Sequence, residues 1–369
     1  MFSYTRKKYF LENQLKINLV NYKKFFNFFA YINWIFRAYK MNLNGKSILI
    51  TGATGSFGKE FIRTILERYE PTRVIVYSRD ELKQHNMQQN FPQIGPMRYF
   101  IGDVRDESRL EMALRGVDVV IHAAALKQVP SAEYNPFECV RTNIHGAENI
   151  VNAAIRTGVK RVIALSTDKA ANPINLYGAT KLASDKIFIA GNNLSPTNGT
   201  KFSVVRYGNV LGSRGSVLPL FKKLVDAGET TLPITDERMT RFWITLEQGV
   251  DFVLESLERM LGGEIFIPKL PSMRITDLAE AVLPGCSFKS IGIRPGEKLH
   301  EVMIPLEEAR VTLELGNQYL IEPAFSFWSS ESYKDKHEGS RVSENFEYSS
   351  NTNKEWVSTE ELREIIAKL

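Results

Sequence analysis

The sequence predicts an α/β fold: a doubly wound parallel sheet with a smaller α/β lobe attached. Three observations carry this. A glycine turn, Gly52 to Gly58, sits between an apolar run and a helical repeat. Short apolar runs then alternate with helix-length segments. Polar, Gly/Pro-punctuated stretches gather late in the chain, at Gly212–Gly215, Thr235–Arg241, Pro268–Met273 and Arg294–Glu297.

Ser47 to Ile50 reads as a buried strand. It runs into Thr51-Gly52-Ala53-Thr54-Gly55-Ser56-Phe57-Gly58, and Phe61, Ile62, Ile65 and Leu66 follow at helical spacing. Strand, glycine turn and helix form the context of a dinucleotide-binding fingerprint. Glycines let the backbone approach a pyrophosphate closely, and the helix N-terminus supplies N–H groups and a positive dipole end. Gly52, Gly55, Ser56, Phe57 and Gly58 are therefore candidate cofactor ligands. The plain alternative is an ordinary tight turn, and the flanking periodicity argues against it. A P-loop is excluded, because Lys59 is followed by Glu60 and not Ser or Thr. The sheet is thus Rossmann-type, and the late segments build a substrate-binding lobe.

Arg73–Tyr77 is the second strand, and Ser78-Arg79-Asp80 follows where an adenosine ribose lies. An NAD enzyme usually places Asp or Glu there. Here Ser78 and Arg79 come first, and a guanidinium suits a 2′-phosphate, so NADP is expected. Asp80 keeps NAD open, and a solvated Arg79 is the plain alternative. Met97–Ile101 is the third strand and ends at Gly102-Asp103-Val104. Asp103 is placed either to accept from the adenine amino group or to cap the helix beginning near Glu107. Val117–His122 is the fourth strand. Ala123, Ala124 and Ala125 after it let a cofactor lie close to the backbone, and Lys127 stands at the mouth of the cleft. Phe137–Ala154, with Asn143, reads as one long helix and Val162–Leu165 as the fifth strand.

The chemistry follows that strand. Thr167-Asp168-Lys169 sits at its end, and Tyr177 and Lys181 lie four apart on one face of the next helix. A tyrosine base near neutrality must lose about three units from a pKa of about 10, roughly 4 kcal/mol. Lys181 and an oxidised nicotinamide ring are two cations able to supply this. A surface helix pair is the alternative; the position after a strand-end Thr and downstream of a glycine fingerprint argues against it. Phe202–Arg206 is the sixth strand, Leu246–Met260 a helix and Glu264–Ile267 a strand. Arg238, Arg241 and Arg294 are candidate diphosphate ligands, or else surface salt bridges. Ser329–Asn353 reads as loop, and Ser358-x-x-Glu361 opens a last helix. Residues 41–210 plus 241–267 are expected to form the NADP-binding domain, and 211–240 plus 268–369 the substrate lobe. Five histidines without ligand spacing give no metal site.

The net charge of +5 is misleading. Residues 1–40 carry eight Lys/Arg and one Glu, so residues 41–369 sum to −2 and give no warrant for nucleic-acid binding. The first forty residues hold 13 of the 40 aromatics and no Gly, Pro or Asp. They read as an extension outside the enzyme core, with Met41 the natural start; the alternative is a basic helix on a membrane surface. No apolar run is long enough to span a bilayer, so no membrane is expected for the core. Cys139 and Cys286, far apart, fit a reducing, cytoplasmic setting.

The runs ITGATGSFGK, YSRDELKQ, YFIGDVRD, HAAALKQVP, TNIHGAEN, LSTDKA, NLYGATKLASDK, RYGNVLGSRGS and TDERMTRFWI together carry a resemblance that covers residues 41–369. The chain resembles the extended short-chain dehydrogenase/reductase superfamily, and within it the configuration-inverting 4,6-dehydratases acting on UDP-N-acetylglucosamine. Dehydratases of the D-glucose type carry Thr-Asp-Glu where this chain has Thr167-Asp168-Lys169. The resemblance implies that Tyr177, with Lys181, takes the C4 hydroxyl proton, that Thr167 orients that hydroxyl, that Asp168 protonates the departing C6 hydroxyl and that Lys169 works at C5. On physical grounds a desolvated Lys169 amine can have its pKa lowered toward neutrality. NADP would be held by the glycine turn, Ser78, Arg79, Asp80, Glu81, Leu82, Lys83, Gln84, Asp103, Val104, Ala123, Lys127, Tyr177 and Lys181. Lys127, Lys169, Asn209, Val210, Arg241 and Arg294 would contact the sugar nucleotide, and a homo-oligomer is implied. The rivals are a dehydratase that also epimerises C5, a nucleotide-sugar 4-epimerase, which needs no Asp168-Lys169 pair, and a non-catalytic NADP sensor, which should lack Tyr177 and Lys181.

Overall fold

The strands β1 (Ser47–Thr51), β2 (Arg73–Ser78), β3 (Met97–Ile101), β4 (Val119–His122), β5 (Arg161–Leu165) and β6 (Lys201–Val205) lie in the order 3-2-1-4-5-6. Each neighbouring pair is parallel. β1 and β4 are buried along their whole length, which is why residues 48–50 and 119–121 are continuous apolar runs rather than alternating ones. The strand order reverses between β1 and β4, and a doubly wound sheet opens its ligand crevice at the C-terminal ends beside that switch. The computed structural model describes residues 42–368, apart from 197, 214 and 329–331. The extension read at residues 1–40, and Met41, lie outside the described residues.

The sheet continues past β6. Ile265–Pro268 adds in parallel, and Gln318–Ile321, Thr312–Leu315 and Ser340–Arg341 add antiparallel, giving ten strands. Three strands from the stretch 268–369 thus belong to the main sheet. Thr240–Ile244 instead pairs with Asn209–Val210 and Ser272–Arg274 in a separate three-stranded sheet. Its Trp243 joins an apolar cluster with Phe221, Leu232, Leu278 and Leu362, which is the core of the lobe. Leu362 comes from the last helix, Thr359–Ala367, where Ser358 and Glu361 form the capping box read from the sequence.

Two local expectations need correction. The helix expected over Phe137–Ala154 is interrupted: Pro136–Val140 and Gly146–Thr157 are joined by a π turn at Arg141–His145. The wider turn carries Asn143, whose side chain accepts from Leu126 N at 2.9 Å and donates to Leu126 O at 3.0 Å. This pins the wall of small residues after β4. Ser329–Asn353 is not all loop. It holds a short helix, Tyr333–His337, and a strand, Tyr348–Ser349, paired with Val302–Ile304. Pairing between such distant short segments leaves no local periodicity to read. Among the described residues no helix is long and apolar enough to cross a membrane.

Candidate active site

A cleft of about 760 Å³ runs from the glycine turn to the loop at Arg294. At its first end Gly52 has φ +65°, and a Cβ there would lie 2.9 Å from the backbone of Ala124. The turn therefore sits hard against the end of β4. Helix α1 (Ser56–Arg68) follows, with Gly55 as its N-cap and no side chain capping it. Its first turn lines the cleft and offers backbone N–H groups and a positive dipole end to an anion. Gly52, Gly55, Ser56, Phe57, Gly58, Val104 and Ala123 all line this part. The donor set and the close backbone cradle fit a dinucleotide pyrophosphate.

The adenosine end is narrower than the sequence suggests. Of the run Ser78 to Gln84, only Ser78, Arg79 and Lys83 line the cleft. Asp80 caps the next helix, accepting from Lys83 N at 2.9 Å, and Gln84 is buried, donating to the carbonyls of Ser78 and Phe100. Glu81 and Leu82 are exposed outside the cleft. Asp103 lines it, but its carboxylate accepts three hydrogen bonds from Arg105. Burial pushes that carboxyl up, and the Arg105 hydrogen bonds outweigh this and hold it low. Arg79 lies 3.7 Å from the same carboxylate.

At the other end the reacting groups converge. Thr167 Oγ1 donates to Asp168 Oδ1 at 2.9 Å, and Lys169 Nζ lies 3.1 Å from the same oxygen. Asp168 is wholly buried, and its Oδ2 has no hydrogen-bond partner among the described residues. Helix α2 (Leu176–Leu194) brings in Tyr177, which hydrogen-bonds Thr167. A Cβ on Gly178 would run into the carbonyl oxygen of Lys169, so only glycine lets this helix sit down on the Asp168-Lys169 turn. Gly178→Ala should cost about 1–3 kcal/mol by overpacking. Chemical denaturation checks this, and an unchanged midpoint would count against the packing argument.

Electrostatics here differ from expectation in two respects. Burial alone would lower the Lys169 amine, but the Asp168 and Glu301 carboxylates raise it above its ordinary value. The lowered pKa expected for Lys169 is thus corrected. Burial also pushes the Tyr177 phenol up to about 12, with Lys169 and Thr167 the main groups opposing that rise. Lys181 is buried and lowered by its burial, partly countered by Asp185 one turn on. Asp185 accepts from Ser166 Oγ at 2.6 Å and lies 3.9 Å from the fully buried Arg206.

The lobe closes the cleft with residues 294–301. Gly296 O accepts from Asn175 Nδ2 at 2.7 Å, and Lys298 Nζ donates to Ala171 O at 2.6 Å. Arg241 is buried and donates to the carbonyls of Thr240, Leu299 and Lys298. Lys127, Asn209, Val210 and Arg294 also line the cleft, with Arg294 paired to Glu297. Arg238 does not line it; it is exposed and paired with Asp236 at 2.8 Å. Glu301 was not found from the sequence. Its Oε1 lies 3.1 Å from Lys169 Nζ and 3.7 Å from Arg241 Nε. It follows an unmarked stretch, and no local motif signals it.

A glycine-turn cleft at the switch of a parallel sheet, with Thr167 after β5 and Tyr177 and Lys181 on α2, defines a short-chain dehydrogenase/reductase. The family model "Polysaccharide biosynthesis protein" matches residues 48–323, and the chain belongs to that family. It is 59% identical over 327 residues, 88% of this chain and 98% of the relative, to the "UDP-N-acetylglucosamine 4,6-dehydratase (inverting)" of Campylobacter jejuni. Pen from Bacillus thuringiensis, a solved structure, is 36% identical with a TM-score of 0.81, covering 89% of this chain and 99% of that one. DesIV, a dTDP-glucose 4,6-dehydratase from Streptomyces venezuelae solved with NAD and TYD bound, is 24% identical with a TM-score of 0.63 over 69% of this chain and 86% of that one.

The expectation of NADP is corrected by these structures. DesIV holds NAD, as do the solved dTDP-glucose 4,6-dehydratase of Bacillus anthracis and the UDP-glucose 4-epimerase of Thermus thermophilus. In this chain the Arg79 guanidinium lies 3.7 Å from the Asp103 carboxylate, which offsets part of the charge that a 2′-phosphate would meet.

Proposed function

We propose that this chain is a UDP-N-acetylglucosamine 4,6-dehydratase that inverts C5, giving a UDP-4-keto-6-deoxy sugar of the L-arabino configuration, with NAD as the cofactor. The observation that carries this is the Thr167-Asp168-Lys169 turn, which puts a buried acid and a partly buried amine side by side near Tyr177. A nicotinamide dinucleotide held on the glycine turn supplies the hydride acceptor, and later donor, that a redox-neutral dehydration needs.

The chain's own groups handle the protons. Tyr177 takes the C4 hydroxyl proton while Thr167 orients that hydroxyl. The C4 ketone acidifies the C5 proton. Lys169, an ammonium at rest, passes one proton to Asp168 across 3.1 Å, leaving a neutral amine beside a neutral acid. The amine then takes the C5 proton, and the acid gives its proton to the departing C6 hydroxyl, which leaves as water. Both groups end in their resting charge states; as hydride would return to C6, C5 would regain a proton on the face opposite Lys169, which balances the proton given up at C4. Lys127, Asn209, Arg241 and Arg294 hold the sugar nucleotide; Tyr134 and Phe137, 88% and 78% exposed, support a homo-oligomer.

Proton NMR of the product formed from UDP-N-acetylglucosamine tests the reading. The expected product is a 4-keto-6-deoxy sugar with inverted C5. A retained C5 would overturn the inversion, and an epimerised C4 with its C6 hydroxyl intact would make the chain the rival 4-epimerase.

A further inference from the structure

Glu301 has no part in the proton steps just described, yet it is buried against them. Its side chain is 2% exposed, and Oε1 lies 3.1 Å from Lys169 Nζ, the same distance as Asp168 Oδ1. Its backbone is fixed from both directions: Glu301 N donates to Ser350 Oγ at 2.9 Å, and Ser350 N donates to Glu301 O at 2.8 Å. Ser350 in turn shares a 2.7 Å hydrogen bond with Thr240 Oγ1, on the strand that carries Arg241. A buried carboxylate held this firmly costs desolvation and must be matched by charge. Its Oε2 has no hydrogen-bond partner among the described residues, so the match lies in the cations on Oε1.

We propose that Glu301 is the positioning residue for Lys169: it holds the ammonium against Asp168, so that the pair keeps the one mobile proton that elimination uses. The inference deepens the dehydratase reading and rests on it. With both carboxylates charged, Lys169 is drawn to a fixed point between them. The proton then has one productive move, to Asp168, because the departing C6 hydroxyl draws it onward from there. Glu301 stays a carboxylate throughout and attracts back the ammonium that forms when Lys169 takes the C5 proton. Every charge facing this pair bears on its titration. Arg241 on the lobe strand, Lys298 on the closing loop and Lys127 at the cleft mouth are the cations, and Tyr177 is the titratable group on α2.

An anion beside an ammonium raises its pKa by about 1–3 units, so removing Glu301 should move the alkaline limit of the pair downward. The test measures kcat against pH for wild type, Glu301→Gln and Glu301→Asp with UDP-N-acetylglucosamine. In Glu301→Gln the alkaline limb should fall by about 1–3 pH units, and kcat at neutral pH by up to about 10²-fold through misplacement, with KM nearly unchanged. Glu301→Asp, charged but one methylene short, should show a smaller fall of the same sign, and it decides the matter if the glutamine variant does not fold. A limb that stays where wild type has it overturns the proposal, because a merely structural residue changes the amount of active enzyme and not its pH profile. NMR of ¹⁵N-labelled lysine in substrate-free protein should place the Lys169 Nζ midpoint lower in Glu301→Gln than in wild type. That arm needs no sugar nucleotide. A wild type inactive on UDP-N-acetylglucosamine would sink the dehydratase reading, while an unmoved midpoint would sink the role of Glu301.

Discussion

Lys169→Ala should bind UDP-N-acetylglucosamine and cofactor yet make 4-keto-6-deoxy product about 10²–10⁴-fold more slowly, some 3–5 kcal/mol of barrier. The loss should fall on one step. Tyr177 and Thr167 remain to oxidise C4, so absorbance of reduced nicotinamide should rise in a single turnover and persist. Exchange of the C5 proton with deuterated solvent should be correspondingly slow. Glu301 makes the variant more informative. With the amine gone, Asp168 loses the ammonium that supplies its proton, while Glu301 keeps Arg241 at 3.7 Å. The variant is therefore expected to lack both the C5 base and the proton that Asp168 delivers. Added primary amines small enough to enter the gap should restore part of the C5 exchange. Near-normal dehydration by Lys169→Ala would place the base elsewhere and leave Lys169 as the counter-ion of two carboxylates.

What the sequence discloses about this site is what lies close together along the chain. The glycine turn, the small residues after β4, the Thr167-Asp168-Lys169 end of β5 and the Tyr177/Lys181 pair each sit in a segment whose period or spacing is local. What it hides is set by distant pairing. Glu301 reaches Lys169 because Val302–Ile304 pairs with Tyr348–Ser349, in a stretch whose polar composition reads as loop. The same hidden contact inverts the expected titration of Lys169: an amine judged by its desolvation alone should fall, and an amine between two carboxylates rises. Arg79 errs in the same manner. Its position at the end of β2 is legible, but the Asp103 carboxylate facing it comes from the end of β3, and only the parallel pairing of β2 with β3 brings them together.

Tyr177→Phe should abolish the first step instead of the second. No transient absorbance of reduced nicotinamide should appear in a single turnover, and product formation should fall by about 10²–10⁴-fold. The phenol has a demanding task. With its pKa pushed up to about 12, it holds its proton at neutral pH, and a fully formed tyrosinate would cost roughly 1.4 kcal/mol for each unit above the working pH. It cannot wait as an anion for the substrate. It must lose its own proton as the C4 hydroxyl comes in, and Lys169 and Thr167, the groups that oppose the rise, favour that loss. Lys181 stands behind it, buried, with Asp185 and Arg206 holding the charge balance of the helix interior. Phenylalanine keeps the ring and its packing, so calorimetric affinity for UDP-N-acetylglucosamine should change little, and only the proton path is cut. A double variant with Lys169→Ala should then look like Tyr177→Phe alone, because a sugar never oxidised at C4 presents no acidic C5 proton. If the double variant is instead slower by the product of the two single losses, the two residues act on one step, and the division of labour between Tyr177 and Lys169 is wrong.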